Sequence, residues 1–296
     1  MYSRQEILPV ILAAALALAG APDPDNLRYN QVAQKASHNS YQRRESVPDQ
    51  LARHQARTIE FDLHLRSPNG RSAPNRDWFV YHTSADHQSS CNLLTDCLRL
   101  ALSFHRQVPR HQIVTVFFDV NDLGGKGHNR EDFYTAIRAA IPPAAIVKPA
   151  DLLAACPGAA ALREAVTRQG CGWPRLGEVR GKFLFVVAGG ARLFRPGYDP
   201  ARDLVFLTAG DVTGGIEEDP ERIFFNMSGP RPFIREVAQA GLVSRVYRLD
   251  NRESYLAARR LGANLLATDC IDLAVYPWTA APGDPAEGAL PFMPLP

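Results

Sequence analysis

The chain has 296 residues and a formal net charge of only +2. The arginines are scattered, so charge gives no reason to expect a nucleic-acid partner. No glycine-serine linker, charge block, internal repeat or second apolar 20-mer divides the sequence, which favours a single domain. The length is long for one β-sandwich but ordinary for one α/β barrel.

The N-terminus has the features of a secretory signal peptide. Arg4 precedes an apolar run over residues 7–19 that is short for a bilayer span, and small residues at Ala17, Ala19 and Ala21 offer cleavage sites. We therefore predict a signal peptide over residues 1–19, cleavage near Ala19 to Ala21, and a single mature domain over residues 22–296 in a secreted or periplasmic protein. An uncleaved anchor or a core helix is the alternative.

Strand-like and helix-like segments alternate along the mature chain. A short strand is predicted just before His38, and helix-period segments lie between several of the later strands. Such alternation implies parallel pairing, and the strand count predicts an irregular eight-stranded α/β barrel. The runs on either side of residues 210–220 can also be read as a hairpin. The predicted strands are residues 58–65, 78–82, 113–119, 183–188, 204–208, 223–227, 243–249 and 265–268, and the predicted helices are residues 92–107, 130–140, 159–169, 232–240 and 252–261.

The strand at residues 58–65 concentrates acidic and basic side chains on one face. Successive strand residues point to opposite faces, so Glu60, Asp62 and His64 share a face. A solvated edge strand would alternate in the same way. However, His38-Asn39, Tyr81-His82 and Asp119 also stand where predicted strands end, and this recurrence predicts a cation site at one end of the barrel.

All five cysteines follow the predicted signal peptide, so disulfides are expected in an oxidising compartment. Their spacings fit no zinc motif. Pairing Cys91 with Cys97 and Cys156 with Cys171 closes two short loops and leaves Cys270 as a buried thiol in a late strand. The sequence alone does not fix this connectivity.

Four segments together resemble the catalytic X-region of phosphoinositide-specific phospholipases C, most of all the secreted Ca²⁺-dependent bacterial branch. They are residues 36–41 around His38-Asn39, residues 59–63 with Glu60 and Asp62, residues 80–82 ending in His82, and residues 116–119 ending in Asp119. The similarity continues through residues 91–97, 180–182 and 247–250, and so covers residues 33–270.

The resemblance implies a distorted (β/α)8 barrel, the TIM-barrel architecture. It also implies a calcium ion that binds the substrate phosphate and the inositol 2-hydroxyl at the carboxyl ends of the strands. The matching positions make Asn39, Glu60, Asp62 and Asp119 the calcium ligands, in agreement with the preference of Ca²⁺ for carboxylate and amide oxygens. The expected protein is a monomer that meets a membrane surface transiently to cleave a phospholipid, phosphatidylinositol, into diacylglycerol and an inositol phosphate, cyclic or not.

His38 and His82 match the two catalytic histidines of that family. Phosphodiester cleavage needs a base, an acid for the leaving alkoxide, and cations for the phosphoryl oxygens. We assign His82 as the acid for the diacylglycerol leaving group. His38 either donates to a phosphoryl oxygen in the transition state or acts as the base, and Glu60 and Asp119 are rival bases.

Four further residues are weaker candidates for substrate contact. His64 shares the face of the two carboxylates, and Asp86 lies in the loop after His82. Arg248 and Asp250 follow a late strand and could contact phosphate or an inositol hydroxyl, or form a structural ion pair. His87 is a further candidate from the same loop, whereas the other four histidines (His54, His105, His111 and His128) are expected on the surface or in the core.

Headgroup selectivity can be read from the strand at residues 183–188. Eukaryotic relatives hold the extra inositol phosphates with lysines after this strand, but here Gly189-Gly190 follows. Unphosphorylated phosphatidylinositol is therefore the expected substrate.

Two alternatives remain from the sequence. A glycerophosphodiesterase or a sphingomyelinase-D-like enzyme shares the order of histidine, Glu-x-Asp and histidine, but usually has arginine where Asn39 stands. A non-catalytic ligand-binding barrel is expected to lose at least one histidine or carboxylate, and none is lost here.

Overall fold

The computed structural model describes residues 23–121, 128–209, 215–216, 219–280 and 292–294. The predicted signal peptide and its cleavage site lie outside these residues. The strands are β1 (Val32–Ser37), β2 (Thr58–His64), β3 (Phe79–Val80), β4 (Val114–Val120), β5 (Ile146–Val147), β6 (Phe183–Gly189), β7 (Phe206–Ala209), β8 (Phe224–Ser228), β9 (Val243–Tyr247), β10 (Leu265–Thr268) and β11 (Phe292–Pro294). The helices are α1 (Val47–Ala52), α2 (Leu94–Gln107), α3 (Arg130–Ala140), α4 (Pro149–Ala154), α5 (Leu162–Thr167), α6 (Ala191–Phe194), α7 (Phe233–Gln239) and α8 (Arg252–Arg260).

Eight strands form a closed parallel barrel in the order β1, β2, β4, β6, β7, β8, β9 and β10. β1 closes the ring because Ala36 pairs with Thr58 of β2 and with Ala267 of β10. All eight carboxyl ends meet at one face, which is where barrels of this kind carry their sites. The predicted (β/α)8 barrel is confirmed.

Two details differ from the sequence prediction. The run at residues 78–82 is not a barrel strand, because β3 pairs antiparallel with the end of β2, placing Val80 opposite Leu63 outside the ring. The hairpin interpretation is wrong, because β7 and β8 are parallel, with Thr208 beside Phe224. In addition, β5 extends β6 and β11 lies antiparallel against β1.

The helices cover the outside of the barrel through one apolar face each. In α2 the buried residues include Leu94, Cys97, Leu98 and Ala101, which recur at the three- and four-residue spacing of a helix face. All five predicted helices are present, and α5 is shorter than its prediction of residues 159–169. None of the helices in the described ranges is long and apolar enough to cross a membrane.

Aromatic contacts show which strand residues face inward. The Phe117 ring of β4 lies 6.5 Å from the Phe224 ring of β8, and these strands are not neighbours, so the contact crosses the barrel interior. The adjacent Phe118 points outward and meets Phe133 of α3 at 5.0 Å. At the amino-terminal end of the barrel, the Tyr29 hydroxyl lies 2.6 Å from Thr115 Oγ1, and the Tyr29 side chain closes that end.

Both predicted disulfides are present. Cys91 bonds to Cys97 at the start of α2, and Cys156 bonds to Cys171 in the segment around α5. Cys270 is a free thiol, 7% exposed, two residues beyond the end of β10.

Candidate active site

A polar cleft of about 560 Å³ opens at the carboxyl ends of the barrel strands. It collects residues of β2, β4, β8 and β9 and of the segments that follow β1, β3, β9 and β10. All six residues predicted as catalytic or calcium-binding line it: His38, Asn39, Glu60, Asp62, His82 and Asp119.

The turn after β1 is fixed against β2 by two hydrogen bonds. Asn39 adopts the left-handed conformation at φ 45° and ψ 56°, which asparagine tolerates better than most residues. Its backbone N–H donates to Glu60 Oε2 at 3.0 Å. The Glu60 N–H donates to Ser40 Oγ at 2.9 Å. The His-Asn pair therefore sits beside the first carboxylate of β2.

His38 is held by a carboxylate that the sequence did not reveal. Its Nδ1 lies 2.9 Å from Asp269 Oδ1, and Arg43 Nη1 lies 3.1 Å from the same oxygen. Burial alone would raise the pKa of Asp269, but the His38 hydrogen bond and the Arg43 charge lower it below its usual range. An ionised Asp269 accepts the Nδ1 proton and leaves Nε2 as the ring atom that can take a proton.

Glu60 is neutralised by a buried guanidinium. Arg245 Nη2 of β9 lies 2.5 Å from Glu60 Oε2, and the two side chains are 2% and 6% exposed. Arg245 Nη1 also donates to Asn226 Oδ1 at 2.8 Å, and its guanidinium lies 4.8 Å from the centre of the Phe117 ring. The sequence offered one signal for Arg245, since it is the one charged residue of a buried strand.

Asp62 and Asp119 form the part of the cleft that is rich in uncompensated negative charge. They are register partners on the adjacent strands β2 and β4. Burial and the nearby charge of Glu60 raise the pKa of Asp119 to about 6, and the same causes raise the pKa of Asp62 well above its usual range. Asp62 Oδ1 is buried and has no hydrogen-bond partner among the described residues. A cation bound beside Asp62 and Asp119 would stabilise the ionised form of both carboxyl groups.

The donor set fits calcium in kind. Carboxylate and amide oxygens surround the space, and the buried Asp62 oxygen without a partner is the atom that a hard cation would satisfy. Within the described part of the chain, no three His, Cys, Asp or Glu side chains already converge as a metal cluster. Glu60 Oε2 instead contacts Arg245 Nη2 and the Asn39 N–H.

His82 is exposed, unlike the five other residues predicted for the catalytic and calcium sites. Its Nδ1 lies 3.4 Å from Asp86 Oδ2, and the two side chains are 46% and 56% exposed. Its positive form is close enough to Asp119 to lower the pKa of that carboxyl, although burial outweighs this effect. The imidazole therefore stands at the mouth, opposite the buried carboxylates.

Three of the four weaker candidates line the cleft: Asp86, Arg248 and Asp250. Asp250 Oδ1 accepts the Asp269 N–H at 2.7 Å, so it supports the carboxylate that holds His38. His64 is not among the lining residues. Its ring stacks on Tyr81 instead, because the antiparallel β3 covers that end of β2. His87 lies in a neighbouring depression, with Nδ1 3.1 Å from the Ser84 carbonyl.

No protein-family model and no curated protein sequence matches the chain. A calcium-dependent phosphoinositol-specific phospholipase C from Pseudomonas sp. superposes with a TM-score of 0.71 at 21% identity, over 93% of this chain and 97% of that chain. Another structure of that enzyme, described as a myo-inositol complex, gives 0.69 at 21% identity over the same shares. A Ca²⁺-dependent phosphatidylinositol-specific phospholipase C from Streptomyces antibioticus gives 0.66 at 19% identity, over 84% and 96%. The chain therefore has the barrel fold of these phospholipases C, as its motifs predicted.

Proposed function

We propose that this protein is a calcium-dependent phospholipase C that cleaves phosphatidylinositol into diacylglycerol and an inositol phosphate. One observation carries the proposal: the two histidines predicted as catalytic and the three carboxylates predicted as calcium ligands open into a single cleft at the carboxyl face of the barrel. The solved structures with this fold include enzymes named for that activity, one of them described with myo-inositol bound.

His38 is the general base in this proposal. Asp269 accepts its Nδ1 proton, so Nε2 can take the proton of the attacking inositol hydroxyl. Glu60 is the weaker rival, because its Oε2 already accepts the Asn39 N–H and the Arg245 guanidinium. Asp119 is better used as an oxygen ligand, since its buried carboxylate needs a positive neighbour.

Asn39, Asp62 and Asp119 would hold the calcium ion, with the second oxygen of Glu60 as a further donor. When bound, the ion supplies positive charge to the phosphoryl oxygens as negative charge develops there. Asp62 offers its buried Oδ1 without first breaking a hydrogen bond to any described residue. Arg248 lines the same cleft and supplies a side-chain cation on the opposite side.

His82 is the acid for the leaving group. It stands at the exposed mouth of the cleft, where the diacylglycerol oxygen of a membrane lipid would arrive, and Asp86 stabilises its protonated form. The described lining of the cleft includes arginines but no lysine. This composition supports phosphatidylinositol without extra phosphates as the substrate. The proposed enzyme is an exported monomer that meets membranes transiently, as the sequence predicts.

The proposal is tested by assaying phosphatidylinositol, lysophospholipid and glycerophosphodiester substrates with calcium and with excess chelator. Phosphatidylinositol should be cleaved only with calcium. Full turnover in chelator would contradict the metal assignment, and preference for a glycerophosphodiester or lysophospholipid would favour the alternative phosphodiesterases.

The acid assignment has its own test, the response of His82→Ala to the leaving group. This variant should lose about 10²–10⁴-fold in kcat on phosphatidylinositol, but far less on an inositol phosphodiester with a nitrophenol leaving group, which needs no proton. His38→Ala should impair both substrates. His87→Ala, in the same exposed loop, is the matched control and should change neither. An equal loss on both substrates in His82→Ala would refute the assignment.

A further inference from the structure

His64 ends β2 on the face that carries Glu60 and Asp62, yet it does not reach the cleft. Its ring stacks on the Tyr81 ring, with centroids 3.8 Å apart and planes 13° apart, and the residue is 7% exposed. Tyr81 directly precedes His82 in the chain. The stack therefore joins the rigid barrel to the segment from which the candidate acid projects.

The polar edge of the His64 ring contacts the backbone of that segment. His64 Nε2 lies 2.9 Å from the Tyr81 carbonyl oxygen. A carbonyl oxygen only accepts, so Nε2 carries the proton and donates it. This carbonyl belongs to the planar peptide group that links Tyr81 to His82. The hydrogen bond therefore fixes the orientation of the plane on which the His82 backbone begins.

Tyr81 is held at two more points, one on β2 and one on the segment just after it. Its backbone N–H donates to the Asp62 carbonyl at 3.3 Å, and its hydroxyl donates to the Arg66 carbonyl at 2.9 Å. The backbone of Tyr81 is thus bonded to β2 at Asp62, a proposed calcium ligand, and its side chain is bonded to the segment just after β2.

The chain after His82 forms a turn whose hydrogen bonds are local: the Thr83 N–H donates to the Asp86 carbonyl at 2.9 Å and the Asp86 N–H donates to the Thr83 carbonyl at 3.1 Å, so these bonds do not tie the turn to a barrel strand. Residues 83–88 are all exposed. The His82 to Asp86 ion pair is half exposed at both ends, and exposed pairs of this kind contribute about 0.2–1 kcal/mol. The position of the His82 imidazole therefore depends mainly on the residue that precedes it.

We propose that His64 is a positioning residue for His82, acting through the hydrogen bond to the Tyr81 carbonyl. This inference rests on the proposed function, in which His82 protonates the leaving alkoxide. Proton transfer needs the acid within hydrogen-bond reach of that oxygen. A misplacement of about 1 Å can reduce a rate by about 10²-fold.

The test uses three variants in the full chain on the two substrates that separate leaving groups. His64→Phe keeps a stacking ring and deletes the donor. We expect about a 10²-fold loss of kcat on phosphatidylinositol, with a loss of no more than a few-fold on the nitrophenyl inositol phosphodiester. His64→Gln restores an N–H donor and should recover most of the loss. Tyr81→Phe is the matched control: it removes the hydroxyl bond to Arg66 and should affect both substrates equally, by no more than a few-fold.

The outcomes separate this inference from the acid assignment. If His82→Ala is selective for leaving group but His64→Phe loses equally on both substrates, or loses nothing, His64 does not position His82. If His82→Ala is itself unselective, the acid assignment fails and the positioning role fails with it. Should the thermal unfolding transition show that His64→Phe does not fold, His64→Leu replaces it as the variant without the donor. A loss selective for phosphatidylinositol supports the inference, and an equal loss on both substrates, or no loss, overturns it.

Discussion

The two sides of the cleft differ in how their charges are balanced. On the first, which we call the paired side, Asp269 and Glu60 each have a cationic partner. Asp269 receives His38 and Arg43, and Glu60 receives Arg245. These contacts bring together β1, β2, β9 and β10, so the paired side is assembled by barrel closure itself.

The second, which we call the open side, consists of Asp62 and Asp119 at the ends of β2 and β4. Burial and carboxylate repulsion raise the pKa values of both groups. The difference teaches that one site can be organised in two ways: the paired side is complete with the side chains of the chain alone, whereas the open side requires an added cation.

Asp269→Asn removes the ion pair of the paired side that matters most for the rate of catalysis. The variant removes the charge that orients His38, and we expect kcat to fall by about 10²–10⁴-fold. Calcium affinity, measured by calorimetry, should stay unchanged because the open side is untouched. Asp272→Asn is the matched control, since that carboxylate lies 3.8 Å from His54 and does not line the cleft. Equal losses of rate and calcium affinity would show that the two sides are not independent.

Arg245→Met tests the energetic meaning of pairing. It leaves Glu60 buried without its cation, and removing one partner of a buried pair typically lowers the free energy of unfolding by about 3–5 kcal/mol. Denaturant unfolding without calcium measures this loss.

Two rescues sharpen the result. Adding Glu60→Gln to Arg245→Met should restore much of the stability, because the carboxylate that lost its cationic partner is then replaced by a neutral amide. Saturating calcium should restore part of it in the single variant, because the released carboxylate becomes an oxygen donor. If neither rescues, the loss reflects packing around Phe117 and not charge.

The smallest effect concerns pH and the open side. Burial raises the pKa of Asp119 to about 6, so between its unfolded value near 4 and about 6 the folded protein binds more protons than the unfolded one. This contribution therefore destabilises the calcium-free protein as pH rises through that window. Bound calcium offsets this destabilisation. The increase in Tm that calcium causes should therefore be larger at pH 7.5 than at pH 5, and each kcal/mol of stabilisation corresponds to about 2–4 °C.

Asp62→Asn is the control for this measurement. It removes one of the two repelling carboxylates, so both the pH dependence without calcium and the calcium shift should shrink. Unchanged calcium affinity in this variant would contradict the assignment of the open side as the metal site.

Most of the fold was accessible from the sequence because periodicity and strand ends are local properties. The parallel pairing of β7 with β8 was not, because residues 204–208 and 223–227 are equally good strands in a hairpin. The antiparallel β3 was overlooked for the same reason, since strand direction is set by the neighbours and not by the strand.

The residues of the candidate site also fall into those that local sequence predicts and those that depend on strand pairing. His38, Glu60 and Asp62 belong to short contiguous motifs that a sequence displays. Asp269 and Arg245 depend on which strands close the ring, and their partners lie 231 and 185 positions away along the chain. Short motifs thus predicted the residues of the cleft, whereas their ion-pair partners required the three-dimensional register.

The free thiol of Cys270 allows local opening at the end of β10 to be measured by the rate of thiol labelling. It is buried beside Asp269, its backbone N–H donates to Thr268 Oγ1 at 3.0 Å, and the other four cysteines are closed in disulfides. A thiol reagent can react there only when this segment opens locally, without global unfolding. The labelling rate under native conditions therefore reports how often the support of His38 comes apart, at a single atom and without any engineered label.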